Sequence, residues 1–302
     1  MEQQAVIGSV SVRERVMRGA ALRAARAGRL ARRKPLGLIG LVICLTVLVL
    51  GLAPGVFTTE DENFGGDYKR SLEGPNAQHF FGTDEHGRDV FSRIVAGARV
   101  SLVVAVMAVG IGSVTGFLLG IISGYFMGWI DMVLQRVTDS ILAFPGILLA
   151  LTLVAVLGGG LDAVIIAIAF AFAPSPLRVT RGVVLSTKQN VYVDAARVIG
   201  ASDLRIMLRH ILPNVLAPWL ILASIALGGA ILIEASLSFL GLGVPPPYPS
   251  WGRMLSGNAQ QYAMIAPWMV LAPGIAITVL VLGFNLFGDA LRDLWDPRLR
   301  GR

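Results

Sequence analysis

The sequence predicts an all-α, polytopic membrane protein with six transmembrane helices and both ends on the cytoplasmic side. Of its 302 residues, 55% are hydrophobic and only 15% charged, with a mean hydropathy of +0.70, whereas ordinary soluble domains carry roughly 25% charged residues. Its apolar residues fall in continuous runs close to the ~20 residues a helix needs to cross a bilayer, without the alternation of a transmembrane barrel. The polar segments between the runs are alternately basic and acidic, which orients the chain.

Residues 1–34 form a basic cytoplasmic tail, with Arg13, Arg15, Arg18, Arg23, Arg26, Arg29, Arg32, Arg33 and Lys34 against Glu2 and Glu14. Val12, Val16 and Leu22 interleave with them, as in a helix lying on anionic lipid. The stretch is too long for the basic start of a secretory signal, and the apolar run after it is longer than such signals carry. It reads as an uncleaved tail.

The first span occupies 35–57, its apolar run being Leu36 to Phe57. The segment 58–94 is acidic, with Glu60, Asp61, Glu62, Asp67, Glu73, Asp84, Glu85 and Asp89, and so lies outside. A core of five helices then covers 95–288. Val95 to Ile122 is the second span, where Gly112, Gly116 and Gly120 recur every four residues, which either allows helices to approach closely or reflects only the ordinary glycine frequency of membrane helices. Ser123 to Asp139 is a cytoplasmic turn entering a polar helix start, with Asp131, Gln135 and Asp139 on one face. The third span, Ser140 to Leu157, carries Pro145, which kinks it or is accommodated by its neighbours. Gly158 to Gly160 turns the chain outside, and the fourth span, Leu161 to Leu177, is broken by Pro174 and Pro176.

The loop 178–214 is basic and therefore inside, and it reads as helix, break, helix. Asn190 suits an N-cap, and Asp194 sits in the first turn, where a carboxylate favours the helix dipole. Val191, Ala195 and Ile199 share one face. Gly200 supplies the left-handed residue that ends the helix. Ser202 caps the next, whose Leu204, Met207, Leu208 and Ile211 fall on one side. Such a helix docks into something outside the membrane or lies on the lipid surface, and the residues alone leave both open.

Val215 to Ile233 is the fifth span. Glu234 follows between two apolar runs, where an ionised carboxylate is costly without water or a partner. It is a residue of the path or gate, or else a structural hydrogen-bonding group or one that reaches the interface. Pro245 to Tyr262 is a rigid outer loop, and Trp251, Tyr262 and Trp268 suit the interface level. Ala263 to Phe287 is the sixth span, and 289–302 is a cytoplasmic tail.

The net charge of +7 sits beside apolar runs, which points to membrane orientation and not to nucleic acid. Cys44 is the only cysteine, and His79, His86 and His210 are scattered, so neither a disulfide nor a histidine metal centre is expected. No serine–histidine–acid arrangement can be assembled, and the phosphate-cradling Gly-Lys-Ser/Thr pattern is absent. A secondary carrier would show inverted repeats of broken helices, and none stands out.

Four stretches carry a resemblance. Asp194-Ala195-Ala196, Gly200 and Leu212-Pro213 resemble the cytoplasmic motif of bacterial ABC importer permeases, with Asp194 in place of Glu and His210 in place of Ile. His79-Phe80-Phe81-Gly82-Thr83-Asp84, Gly87-Arg88-Asp89 and Ser92-Arg93 are similar to the first outer loop of the C-type permease subunit of dipeptide, oligopeptide and nickel importers. Glu234 to Gly243 with Pro249-Ser250-Trp251-Gly252, and Phe284-Asn285-Leu286, Gly288-Asp289, Leu291-Arg292-Asp293 and Asp296-Pro297-Arg298, resemble two later regions of that family.

The resemblance implies a type I ABC importer permease in the plasma membrane of a bacterium or archaeon, importing peptides or a related small solute. It implies a B-type permease as heterodimer partner, two cytoplasmic ATPases and an extracytoplasmic substrate-binding protein. ATP and Mg would reside on the ATPases, with no cofactor or catalytic site in this chain. Tyr192, Asp194, Ala195, Ala196, Ile199, Gly200, Ala201, Leu204 and Pro213 would form the ATPase-coupling loop. Gly82, Thr83, Asp84, Gly87, Arg88 and Asp89 would form the outer-loop motif.

Overall fold

The computed structural model describes residues 35–58 and 66–295. The expectations for the basic tail, for Glu60, Asp61 and Glu62, and for Asp296-Pro297-Arg298 lie outside the described residues. Helix α1 (Pro35–Leu52) is the first span, and it ends where Ala53 and Pro54 lead into a short helical turn, Pro54–Phe57. Helix α2 (Val90–Phe126) has 37 residues, about 55 Å at 1.5 Å per residue. It therefore outreaches the ~30 Å hydrocarbon layer and carries structure beyond the expected ends of the second span.

The third span departs from a simple kink. Helices α3 (Gly128–Leu142) and α4 (Gly146–Leu157) meet at 93°. Pro145 offers no donor, and the residue before a proline avoids helical geometry, so the chain breaks across Ala143 to Pro145 instead of bending. The fourth span is the reverse case. Helices α5 (Leu161–Phe172) and α6 (Pro174–Lys188) run on as one apolar helix of 28 residues. Pro174 and Pro176 remove only their own donors, and the amide of Leu177 still bonds the Ala173 carbonyl.

One side of α2 is packed backbone to backbone. A Cβ on Gly112, Gly116 or Gly120 would run into the carbonyl oxygens of Ala169, Ala173 and Leu177 respectively. The glycine spacing thus marks the seam between α2 and α5–α6, where backbones touch.

Helix α7 (Val191–Val198) and the single turn α8 (Asp203–Ile206) make up the loop, and a π-helical segment, Met207–Ile211, joins them to α9 (Leu212–Phe239). Helix α10 (Trp268–Trp295) ends the described chain. It passes the expected end at Phe287, carrying Asp289, Arg292 and Asp293 on its last turns. Gly37 of α1 admits the Ala290 side chain, and Gly288 admits Ile225, so packing extends the helix. Among the described residues five helices are long and apolar enough to cross a membrane, and there are six if the bent α3–α4 pair counts as one broken span.

Three apolar cores form among the described residues, the smallest around Ala259, Ala266 and Met269 on the outer side; the other two lie among the long helices. One contains Val104, Ala105, Ala108, Val164, Ile168, Ile231 and Leu280. The other contains Phe117, Ile121, Tyr125, Val184, Val193, Ala196, Ile206 and Ile211. The second core ties the loop helices to the ends of α2 and α6.

Candidate functional site

Helix α7 is short and two-faced. Val193 and Ala196 are buried in the second core, while Val191 and Ile199 are each 83% exposed. Ala195 stands between them on the exposed side. Asn190 occupies the cap position, but its amide donates to the carbonyls of Ser186 and Thr187 and leaves the α7 amides uncapped. Asp194 pairs with Arg197 of its own helix at 3.4 Å. Gly200 has φ +80°, the left-handed value expected, and its amide bonds the Arg197 carbonyl.

The second half of the loop differs from the expected one-sided face. Leu204 and Leu208 are exposed, whereas Ile206 and Ile211 are fully buried. The π-helical turn is the reason, because one extra residue per turn moves the buried spacing from four to five. Tyr192 reaches back across the loop, its hydroxyl accepting from Asn214 Nδ2 at 3.3 Å. Of the expected coupling set, Tyr192, Asp194, Ala195, Ile199, Gly200, Leu204 and Pro213 lie on the surface. Ala196 points inward, and Ala201 is half-buried beneath it, its amide on the Ala196 carbonyl.

Arg178, Arg181 and Lys188 belong to α6, not to the loop. Arg181 grips Asp131 of α3 with two hydrogen bonds of 2.6 and 2.7 Å, and Arg178 reaches Asp139 at 2.5 Å. Ser123 of α2 donates to Asp131 at 2.5 Å, and Gln135 donates to Ser123. The polar face of α3 therefore meets α2 and α6. Sequence reasoning found that face but not its partners, although the three-residue spacing of Arg178 and Arg181 matches it.

The outer-loop motif folds on itself. Asp89 caps α2, accepting from the Ser92 amide at 2.7 Å, and faces His79 at 3.3 Å. Asp84 accepts from the amides of His86 and Arg88 and from Arg88 Nε at 2.7 Å, with Arg93 at 3.6 Å. Gly82 and Gly87 have φ of +70° and +74°. A Cβ on Gly87 would strike the Asp67 backbone, so the turn needs glycine twice over. Thr83 accepts from the Glu73 amide and donates to the Arg70 carbonyl.

Beside this loop is a cavity of about 440 Å³ lined by Asp84, His86, Arg88, Arg93, Pro246 and Arg253 among others. Burial, and then the charge of Arg88, hold the Arg253 guanidinium below its ordinary pKa. Asp84, Glu85 and His86 present potential metal-ligating atoms within 4.8 Å of one another. The Asp84 oxygens are already taken by Arg88 and by backbone amides, so this donor set is neutralised from within.

Trp251 is not an interfacial anchor. It is 2% exposed, stacked on Gly97, with its ring N–H donated to the Ile94 carbonyl at 2.8 Å. Trp268 likewise donates to the Thr83 carbonyl at 3.0 Å. Both rings are spent on holding the outer loops to the spans.

Glu234 is 0% exposed. One carboxylate oxygen accepts from Ser101 of α2 at 2.9 Å and the other from Ser238 at 2.7 Å, and the Ser250 hydroxyl of the outer loop joins them. The expected path residue therefore lines no open surface of this chain. Hydroxyl donors from α2, α9 and the outer loop satisfy it, as a buried carboxyl group requires.

Spans sealed by glycine, with a short helix in a polar loop that leaves an apolar face exposed, define a polytopic helical membrane protein. The chain belongs to the family of binding-protein-dependent transport system inner membrane components, whose model matches residues 116–301. It is 44% identical over 269 residues to the dipeptide transport system permease protein DppC of Alkalihalophilus pseudofirmus, covering 89% of this chain and 88% of that one. It is 42% identical over 261 residues to the glutathione transport system permease protein GsiD of Pectobacterium atrosepticum, covering 86% of each. Among solved structures it is similar in fold to a chain of the methionine ABC transporter MetNI, with a TM-score of 0.53 and 19% identity over 67% of this chain and 95% of that one. The protein is thus a membrane permease subunit of an ABC importer, working with ATPase and substrate-binding partners.

Proposed function

We propose that this chain forms half of the translocation path for di- or oligopeptides, or for a small peptide-like solute such as glutathione. The other half is a second, B-type permease, and the pair is served by two cytoplasmic ATPases and an extracytoplasmic binding protein. ATP and Mg belong to the ATPases, and this chain holds no catalytic site. The observation that carries this is the exposed apolar face of α7, with Val191 and Ile199 each 83% exposed around Ala195. Charged loops seldom present such a face to water unless a partner covers it. Chemical work in the ATPases then reaches the spans through the set from Tyr192 to Pro213.

Loop charge supports a plasma-membrane orientation with both ends inside. Two measurements on cells lacking the native gene test the reading together. Labelled dipeptides, tripeptides and glutathione are expected to enter only when this chain is restored, with the ATPases co-purifying. A membrane-impermeant thiol reagent is expected to label Tyr248→Cys and not Ser202→Cys in a Cys44→Ala background. Uptake independent of ATP, or external labelling at position 202, overturns the assignment.

For Glu234 we propose a pin, not a gate, since three serine hydroxyls from three segments converge on it. Glu234→Gln keeps the shape and most of the hydrogen bonds while removing any charge. It is expected to express normally and to import within about twofold of the parent, because serine hydroxyls can both donate to the Gln carbonyl oxygen and accept from its amide group. Normal expression with abolished import would show that the charge itself serves transport.

A further inference from the structure

Four elements meet at a single tyrosine that neither the coupling motif nor the family resemblance singles out. Tyr125, on the last turn of α2, is buried. Its hydroxyl donates to Asp203 at the start of α8, at 2.6 Å. The Arg197 guanidinium of α7 lies beside the same hydroxyl. Lys188, the last residue of α6, places its ammonium 5.3 Å from the centroid of the Tyr125 ring and donates to the Tyr125 carbonyl at 2.6 Å. A cation at that place also satisfies the negative end of α2. The two helices on either side of Gly200 thus meet at one hydroxyl, and the tyrosine that carries it belongs to α2 and is held at its ring and carbonyl by Lys188 of α6.

The same helix end has a second attachment. Two residues earlier, Ser123 donates to Asp131, which Arg181 holds. Between the attachments and α3 stands Met127, whose φ of 56° marks the abrupt change of direction. A push on α7 and α8 therefore has two routes through α2, one along its own 37-residue length and one sideways into the broken third span. Apolar packing alone would let the loop slide over the second core. A buried hydroxyl with a fixed acceptor does not slide.

We infer that Tyr125, through its hydrogen bond to Asp203, is the positioning residue that makes the loop helices and the ends of α2 and α6 move as one body. This rests on the coupling role proposed above for the loop. Tyr125→Phe keeps the ring, its packing and its contact with Lys188, and deletes only the joint. Asp203→Asn keeps an acceptor oxygen for the hydroxyl, and Asp203→Ala does not.

The test has two arms. In the importer assembled with its ATPases in proteoliposomes, solute moved per ATP hydrolysed is measured with whichever labelled dipeptide or glutathione the parent imports. Tyr125→Phe and Asp203→Ala are each expected to lower that ratio about tenfold, within the usual range of coupling between sites, and the double variant no further. ATPase recruitment and basal hydrolysis should stay at the parental level, and Asp203→Asn should restore the ratio. In the purified chain alone, hydrogen exchange at the amides of α7 and α8 is expected to quicken in Tyr125→Phe and not in Asp203→Asn.

An unchanged ratio with unchanged exchange overturns the joint. So does lost ATPase recruitment in Tyr125→Phe, which would make the tyrosine part of the dock itself. Quickened exchange in a chain whose parent recruits no ATPase would support the joint and overturn the docking assignment instead.

Discussion

Ala195→Asp is expected to abolish import while leaving the protein inserted and folded. The residue stands on the exposed apolar side of α7 between Val191 and Ile199, so the substitution touches no internal contact. In the docked state it would bury a carboxylate beside Asp194 in an apolar contact. Leaving such a group unpaired costs several kcal/mol, roughly 2–7 for a neutral polar group and more for a charge. Two or three kcal/mol already reduces occupancy about a hundredfold.

Gly200→Val should act by another route to the same end. Space is open around Gly200, where a Cβ would meet nothing within 4 Å. The penalty is conformational, because φ of +80° costs a residue with a Cβ about 1–2 kcal/mol. The chain can relieve this only by redirecting α8. Co-purification of the ATPases together with uptake decides both cases. If both variants retain association and import, the loop is not the coupling element, and a loop resting on lipid would account for the mild effect.

Gly116→Leu should have the opposite signature, with loss of the folded protein itself. A Cβ there collides with the Ala173 carbonyl oxygen, and the next contacts are also main chain. No side chain can rotate aside, so α2 and the α5–α6 helix must separate along the seam that holds the second core together. Overpacking of this kind costs about 1–3 kcal/mol, occasionally more, a large part of a stability margin of ~5–15 kcal/mol. Gly110→Leu is the control, since nothing lies within 4 Å of a Cβ at that position. Size-exclusion profiles of fluorescent fusions in detergent should show a monodisperse peak for Gly110→Leu and little or none for Gly116→Leu. Equal behaviour of the two variants would mean that the seam yields.

What the sequence made legible was local. Runs of apolar residues located the spans, glycine every fourth residue located the seam on α2, and the left-handed turn at Gly200 followed from glycine ending an amphipathic stretch. What it hid was set by residues far apart in the chain. Pro174 and Pro176 look like breakers, yet packing against α2 keeps the helix running. Nothing near Glu234 in the chain announces that Ser101, 133 positions earlier, donates to it. Trp251 looks like an interfacial anchor until Gly97 makes room for its ring. The joint at Tyr125 depends on Asp203, 78 positions on, and no periodicity announces a pair at that distance.

The exposed side of α7 and α8 has a further meaning for how the cell makes this protein. Val191, Val198, Ile199 and Leu204, exposed by 62–86%, form a sticky face on the subunit as it stands without companions. Any companion that binds only the folded form stabilises it in proportion to the logarithm of its concentration. On the docking role proposed for this face, the supply of ATPase would set how far a newly made permease is protected from self-association and proteolysis, and balanced synthesis of the subunits would help to keep this chain in the membrane.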